Sequence, residues 1–153
     1  MPPLSADSLR SSGDAPMGEI RVQVRLVNLQ DETRARHGEL KRDEVRVYEA
    51  NAMVDTGAVR SVIPDHVLQR LGVGTRGTRV AEYADGRKDT VGISEGILFD
   101  IMGRDTIEEA LVQGDEVLIG QTVLEKLDLL ADCANRRLVP NPAHPDQPVS
   151  KVK

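Results

Sequence analysis

Alternation of apolar and polar residues is the most regular pattern along the chain. From Ile20 to Leu26 every second residue is apolar, and arginine or glutamine stands between. A period of two is typical of a strand that buries one face, which predicts a strand over residues 19–30. Residues 45–54 repeat the pattern more loosely. The sequence therefore predicts two long strands before its midpoint.

Shorter elements follow, and turn-forming residues separate them. Residues 61–63 predict a short strand, and Pro64 suits the first turn of a helix over residues 65–71. The segments 76–83 and 88–94 flank Asp85-Gly86. Because Asp-Gly between two β-like segments is a strong turn signal, these segments predict a hairpin.

The last part of the chain predicts further strands and one more helix. An apolar run, Val-Leu-Ile-Gly at 117–120, leads into a segment with one apolar face that predicts a helix over residues 121–127. Further strands are predicted over residues 96–102, 106–112, 128–131 and 137–139.

The composition favours a small β-rich domain. Of the 153 residues, 39% are hydrophobic and 2% are aromatic. The core must therefore be built from Val, Leu, Ile and Ala, of which the β-branched residues favour strands. The ends, residues 1–17 and 143–153, are polar or proline-rich and predict disordered tails. We expect one all-β domain over residues 18–142.

Charge and cysteine content narrow the classes of partner. The densest charged run, residues 31–46, holds five acidic and five basic residues, and the formal net charge of the chain is −5. We interpret this run as a solvated loop that offers no basic surface to nucleic acid or membranes. The chain has neither a secretory signal pattern nor an apolar stretch of about 18 residues. The single cysteine, Cys133, cannot form a disulfide within the chain, which agrees with a reducing compartment, and a cytoplasmic protein is predicted. Cys133 itself is expected to fill apolar space.

The clearest chemical motif is Asp55-Thr56-Gly57, which directly follows the predicted strand over residues 45–54. A carboxylate can activate water when a second carboxyl group about 3 Å away holds a proton. Threonine can hydrogen-bond across such a loop, and glycine leaves its N–H free to approach the carboxylate. Asp55 therefore has the setting of one aspartate of such a pair.

A second copy of this motif is missing from the sequence. Asp85-Gly86 lacks the middle residue, and Asp105-Thr106 continues into isoleucine. Three other aspartates have no glycine turn to expose them and are expected to face solvent in or beside strands: Asp100, Asp128 and Asp132. A two-fold homodimer would bring two copies of Asp55 face to face and so complete the pair.

These features together resemble the retropepsin-like aspartic proteases, the single-lobe clan that includes retroviral proteases and related bacterial enzymes. The resemblance covers residues 20–142 and follows the family's order: Ala-Met-Val-Asp-Thr-Gly-Ala at 52–58, a mid-chain hairpin, and Val-Leu-Ile-Gly at 117–120 before a short helix. The segments at 127–132 and 137–142 look most like the bacterial branch. The resemblance implies a closed, homodimeric β-barrel with one principal short helix.

The resemblance also implies roles for individual residues. The catalytic group would be Asp55, Thr56 and Gly57, with Thr56 forming interlocking hydrogen bonds between subunits. Substrate would be bound by Ala58, Tyr83, Ala84, Asp85 and Gly86, with Tyr83 leaning over the cleft as in pepsin-type relatives. Ile119 and Gly120 would pack behind the catalytic loop and support it.

The function predicted on this basis is hydrolysis of peptide bonds at a homodimer interface. The chemistry needs no cofactor, and the spacing of His37, His66 and His144 predicts no metal site. An alternative is a catalytically inactive dimerisation or peptide-binding module on the same fold, favoured by the charged hairpin and by Arg60 beside the motif. A third possibility is an unrelated β-barrel in which the Asp-Thr-Gly motif is accidental.

Overall fold

The computed structural model describes residues 19–152, so the predicted N-terminal tail at 1–17 lies outside the described part. The strands are β1 Ile20–Asn28, β2 Val47–Val54, β3 Val62–Ile63, β4 Thr75–Glu82, β5 Lys88–Ser94, β6 Ile97–Ile101, β7 Arg104–Glu108, β8 Leu111–Val112, β9 Leu118–Ile119, β10 Leu129–Asp132 and β11 Arg137–Pro140. The α-helices are α1 Leu29–Arg36, α2 Asp65–Leu71 and α3 Gln121–Leu127. The β-rich class predicted from the sequence is confirmed.

Nine of the described strands form one curled, half-barrel sheet. The order across it is β4-β5-β8-β3-β9-β2-β1-β6-β7, and β10 pairs with β11 in a separate hairpin. Beside the central strand β9, β2 pairs with β1, which runs antiparallel to it with Ile20 opposite Val54 and Val27 opposite Val47. This pairing brings the start of β1 beside the end of β2, where Asp55 follows.

The core lies inside the curl of the sheet and is closed by α2 and α3. The alternating residues of β1 point into it: Val24 and Leu26 are buried, whereas Arg21 and Arg25 are exposed. Both helices place apolar residues on the same core, namely Val67, Leu68, Leu71, Val123, Leu124 and Leu127. Burying a side chain of this size stabilises the fold by about 1.5–3 kcal/mol, which offsets the shortage of aromatic residues.

Helix α1 and a short 3-10 helix, Arg42–Glu44, occupy the charged run at residues 31–46. Most residues of this run are exposed, as predicted, but the prediction that the run is a loop is wrong. The prediction of one principal helix is also wrong, because three short α-helices occur within residues 19–152. Asn28 caps α1 by accepting a hydrogen bond from the Asp31 N–H at 2.9 Å, and acidic residues in the first turn suit the helix dipole.

Asp31 anchors α1 to the start of β2. It is 3% exposed, and its carboxylate accepts three hydrogen bonds from Arg46: from the backbone N–H at 3.0 Å, from Nε at 2.8 Å and from Nη2 at 3.1 Å. The bonds from the Arg46 side chain hold the pKa of Asp31 below its usual range, although burial of the carboxylate opposes this shift. The charged run is thus ordered by a specific ion pair.

The segment after β11 folds back onto the end of α3. Asp128 lies in the left-handed region at φ 58°, and its carboxylate accepts hydrogen bonds from Asn141 Nδ2 at 3.0 Å and from the Val149 N–H at 3.1 Å, and contacts His144 Nδ1 at 2.6 Å. The Asn141 amide is the main reason why the pKa of Asp128 is lowered. The expectation that Asp128 faces solvent is wrong, because these contacts cover its side chain.

Arg104 supports the same corner from the sheet. This buried guanidinium donates to the carbonyl oxygens of Leu127, Asp128 and His144 at 3.0, 3.0 and 2.8 Å. Cys133, expected to fill apolar space, is exposed in the turn between β10 and β11. None of the helices between residues 19 and 152 has the length and apolar character needed to cross a membrane.

Asp31→Asn is expected to lower the free energy of unfolding by about 1–2 kcal/mol at neutral pH, because Arg46 loses a charged acceptor. Folding lowers the pKa of Asp31. Its contribution is therefore present above the unfolded-state value of about 3.9 and is lost as the pH falls towards the folded-state value. Urea unfolding of both proteins between about pH 7 and pH 3 measures the difference, which should shrink below about pH 4.

Glu39→Gln is the matched control, because Glu39 is an exposed carboxylate in the same charged run. It should change the free energy of unfolding by less than about 0.5 kcal/mol at every pH. Equal effects of the two substitutions would contradict a specific role for the Asp31–Arg46 pair.

Candidate active site

Asp55 follows the last residue of β2 and is held by the strand beside it. Its N–H donates to the Ile119 carbonyl of β9 at 2.8 Å, which continues the parallel pairing of Val54 with Ile119. The Asp55 carboxylate is partly exposed and accepts a hydrogen bond from the Gly57 N–H at 3.1 Å. Its backbone is therefore fixed by the sheet, while its side chain can still be reached.

The loop at residues 55–61, which we call the Asp55 loop, has to cross the end of another strand. It joins β2 to β3, but these two strands are not neighbours, because β9 lies between them. β9 runs parallel to β2 and antiparallel to β3. The Asp55 loop therefore passes directly over the residue that follows β9, which is Gly120.

Gly120 is required at this crossing for steric reasons. A Cβ atom on Gly120 would lie 2.5 Å from the carbonyl carbon and 2.6 Å from the carbonyl oxygen of Arg60. Its φ of −92° is open to any residue, so the restriction comes from the neighbouring backbone and not from conformation. The Gly120 N–H also donates to the Ser61 hydroxyl at 2.9 Å, and Ser61 is fully buried.

The first residues of α3 hold the middle of the Asp55 loop. The Gln121 N–H donates to the Ala58 carbonyl at 2.8 Å, and the Thr122 N–H donates to the Val59 carbonyl at 3.1 Å. These N–H groups have no partner within the helix, so the loop carbonyls satisfy them. Ser61 and Thr122 were not singled out from the sequence, since a lone hydroxyl residue carries no pattern that points to a distant loop.

Tyr83, Ala84, Asp85 and Gly86 form the tip of the β4–β5 hairpin. Gly86 adopts φ 86°, and the Arg87 N–H donates to the Asp85 carboxylate at 2.9 Å, as the predicted turn requires. The Arg87 guanidinium lies 4.5 Å from the centre of the Tyr83 ring. The Tyr83 hydroxyl is hydrogen-bonded to the side-chain amide of Gln113.

The predicted site residues fall into two groups in a single chain. Asp55 to Ala58 are brought together with Ile119 and Gly120, whereas the residues of the hairpin tip are tied to Gln113. In the part of the chain that the structure describes, the hydrogen bonds of the tip do not reach the Asp55 loop. Nor do residues 19–152 contain a cluster of three His, Cys, Asp or Glu side chains that could hold a metal.

Gly120→Ala is expected to lower the free energy of unfolding by about 3 kcal/mol, because the new methyl group overlaps the Arg60 carbonyl and either the Asp55 loop or α3 must shift. Gly77→Ala is the matched control. A Cβ on this strand glycine would meet Ile93 Cγ2 at 3.9 Å, an ordinary contact, so the change should be neutral or stabilising by up to about 1 kcal/mol. Urea unfolding compares the two, and equal stability would contradict the steric account.

The sequence was also compared with known proteins. No protein-family model matches it, and no curated protein matches it. The resemblance to the retropepsin-like aspartic proteases therefore stays a prediction that rests on the residues of this chain. What the site can do chemically has to be argued from the geometry of the Asp55 loop.

Proposed function

We propose that this protein is an aspartic endopeptidase that acts as a homodimer, with one Asp55 from each copy. The observation that carries the proposal is the setting of Asp55. Its carboxylate is accessible, it receives the Gly57 N–H, and its loop is braced from behind by Gly120. A carboxylate whose backbone is fixed by hydrogen bonds at the end of a sheet strand is suited to chemistry that depends on accurate placement of a water molecule.

A single chain supplies only half of this chemistry. Activation of water for attack on an amide needs one ionised carboxyl group and one that carries a proton, and two carboxyl groups about 3 Å apart share a proton because both cannot ionise together. The motif occurs once in the chain. A two-fold axis close to Asp55 provides the second carboxyl group without any further residue.

The proposed reaction has two steps, each with two proton transfers, and no covalent intermediate. One Asp55 takes a proton from the bound water as it attacks the scissile carbonyl, while the second copy's Asp55 donates its proton to the carbonyl oxygen. The roles then exchange: the first Asp55 gives its proton to the leaving amine, the second copy's Asp55 takes a proton back from a hydroxyl of the tetrahedral intermediate, and the peptide bond breaks. The pair returns to its starting state, with one shared proton and no cofactor consumed.

The remaining parts of the proposal follow from the dimer. Thr56 is exposed next to Asp55, where it can hydrogen-bond to the second copy. Ala58 and the tip from Tyr83 to Gly86 would bind an extended peptide from opposite sides. We also propose that the half-barrel closes into a complete barrel and that the dimer is located in the cytoplasm.

A dimeric peptide-binding module that does not cleave is the second candidate. The observation in its favour is the polar character of the hairpin tip, where Asp85 and Arg87 are exposed and pair at 3.5 Å. Such a tip can bind a polar peptide without excluding water from a reacting bond. This candidate predicts the same dimer but no turnover.

Asp55→Asn is expected to lower the rate of peptide cleavage at least about a hundredfold, because the amide can neither accept nor supply the catalytic proton. A diverse peptide library, with mass-spectrometric detection from about pH 3 to pH 8, measures cleavage. The wild type should give a bell-shaped pH profile that belongs to the pair of carboxyl groups. Asp105→Asn, which changes another Asp-Thr sequence at an exposed position of β7, is the matched control and should cleave normally.

Mixing wild type with Asp55→Asn at fixed total concentration tests whether the site is shared between copies. If subunits exchange freely and each active site needs two aspartates, an equal mixture retains about one quarter of the wild-type activity. If each chain acts alone, the mixture retains about one half. If the wild type dimerises but cleaves no peptide, the protease proposal is wrong and the peptide-binding module takes its place.

A further inference from the structure

The position of the Asp55 loop depends on Thr122, which sits in the first turn of α3. Thr122 bonds the Val59 carbonyl through its backbone N–H at 3.1 Å, and its hydroxyl lies 3.0 Å from the same oxygen. The hydroxyl also lies 2.5 Å from Glu108 Oε2. One side chain therefore links the Asp55 loop to a carboxylate on β7.

Glu108 is an unusual residue in this position. It is 8% exposed at the end of β7, which is an edge strand of the sheet, and its Oε1 lies 3.2 Å from Lys126 Nζ. Lys126 also donates to the Ile107 carbonyl at 3.0 Å. Buried carboxylates are costly unless they are paired, and here both oxygens contact groups of the same short helix. Glu108 thus fixes the position and rotation of α3 relative to the sheet.

The hydroxyl of Thr122 has a single proton for two neighbouring oxygen acceptors. The Glu108 carboxylate is nearer than the Val59 carbonyl, and hydrogen bonds to charged acceptors are the stronger ones. Glu108 therefore orients the hydroxyl, and the Thr122 N–H is left to hold the Val59 carbonyl. The order of contacts runs from Glu108 through Thr122 to the Asp55 loop.

Packing gives the Asp55 loop little support on this side. An open surface groove of about 570 Å³ lies beside it, lined by Val59, Arg60, Glu108, Thr122 and Lys126 among others. The Val59 side chain is 67% exposed. Polar contacts therefore position this half of the loop: α3 holds the Val59 carbonyl, and Arg60 Nη1 donates to the Glu109 carbonyl at 3.3 Å.

We propose that Glu108 and Thr122 are positioning residues of the active site, which set the Asp55 loop from behind without touching substrate. This inference rests on the proposed function for its effect on catalysis, but not for its effect on the loop. Small displacements of a reacting group can lower a rate by orders of magnitude. Glu108 and Thr122 should therefore affect the chemical step more than the binding of peptide.

Thr122→Val and Thr122→Ser separate the hydroxyl from the rest of the side chain. Valine keeps the shape and removes the hydroxyl, whereas serine keeps the hydroxyl. Glu108→Met removes the carboxylate at similar volume, and Glu125→Met, on the exposed side of α3, is the matched control. Two quantities are measured on the full chain: amide hydrogen exchange of peptides covering residues 55–61, and kcat and KM for a cleaved peptide.

Thr122→Val and Glu108→Met are expected to speed exchange in residues 57–59 about tenfold and to lower kcat about tenfold, with KM within about twofold of wild type. Thr122→Ser and Glu125→Met should match wild type in both. The proposal is overturned if Thr122→Val leaves exchange unchanged, or if Thr122→Ser is as damaging as Thr122→Val. Should Glu108→Met fail to fold, the two Thr122 variants decide.

The hydrogen-exchange measurement tests the positioning role independently of the proposed protease activity. If wild type cleaves nothing and Thr122→Val still speeds exchange while Thr122→Ser does not, the protease fails and the positioning role stands. If the wild type cleaves peptide and Thr122→Val and Thr122→Ser show the same rate of amide hydrogen exchange in residues 57–59, the protease proposal stands and the positioning role fails.

Discussion

The crossing of the Asp55 loop over Gly120 is the constraint on which the rest of the site depends. β9 lies between β2 and β3, so the chain that joins those strands must pass over its end. The approach of Arg60 leaves no room for a side chain at residue 120. At this crossing the Asp55 N–H donates to the Ile119 carbonyl and the Gly120 N–H donates to the Ser61 hydroxyl. These bonds fix the backbone of Asp55 and leave its carboxylate accessible.

Buried polar contacts, more than aromatic packing, place the helices around the sheet. Asp31 ties α1 to β2 through Arg46, Arg104 holds the end of α3 through carbonyl oxygens, and Glu108 holds its first turn through Thr122. Apolar contacts between Val, Leu and Ile side chains are not directional, so they stabilise the core without fixing a helix's rotation. Directional hydrogen bonds to buried groups supply that specificity, which matters most where α3 meets the Asp55 loop.

Much of the fold could be predicted because the local signals are strong. Asp85-Gly86 marked the hairpin, and Gly120 with the apolar face after it marked α3 at its observed bounds. Helix α1 could not be predicted in the same way, because its one buried side chain, Asp31, is charged and its stability comes from Arg46, fifteen residues away. The Asp55 motif was visible in the sequence, but Ser61, Glu108 and Thr122 depend on contacts between segments that no local pattern reveals.

Because the Asp-Thr-Gly motif occurs once in the chain, the proposed chemistry requires that two copies of the chain associate. In a single copy the Asp55 carboxylate is partly exposed, and its loop is hydrogen-bonded to β9, to α3 and, through Arg60, to the Glu109 carbonyl. The front of the loop, including Thr56 and Val59, faces solvent. If the proposed dimer forms, a loop that is already ordered in the single copy would lower the entropic cost of association. The same preorganisation would serve a peptide-binding module, which is why turnover, and not dimerisation, separates the two functions.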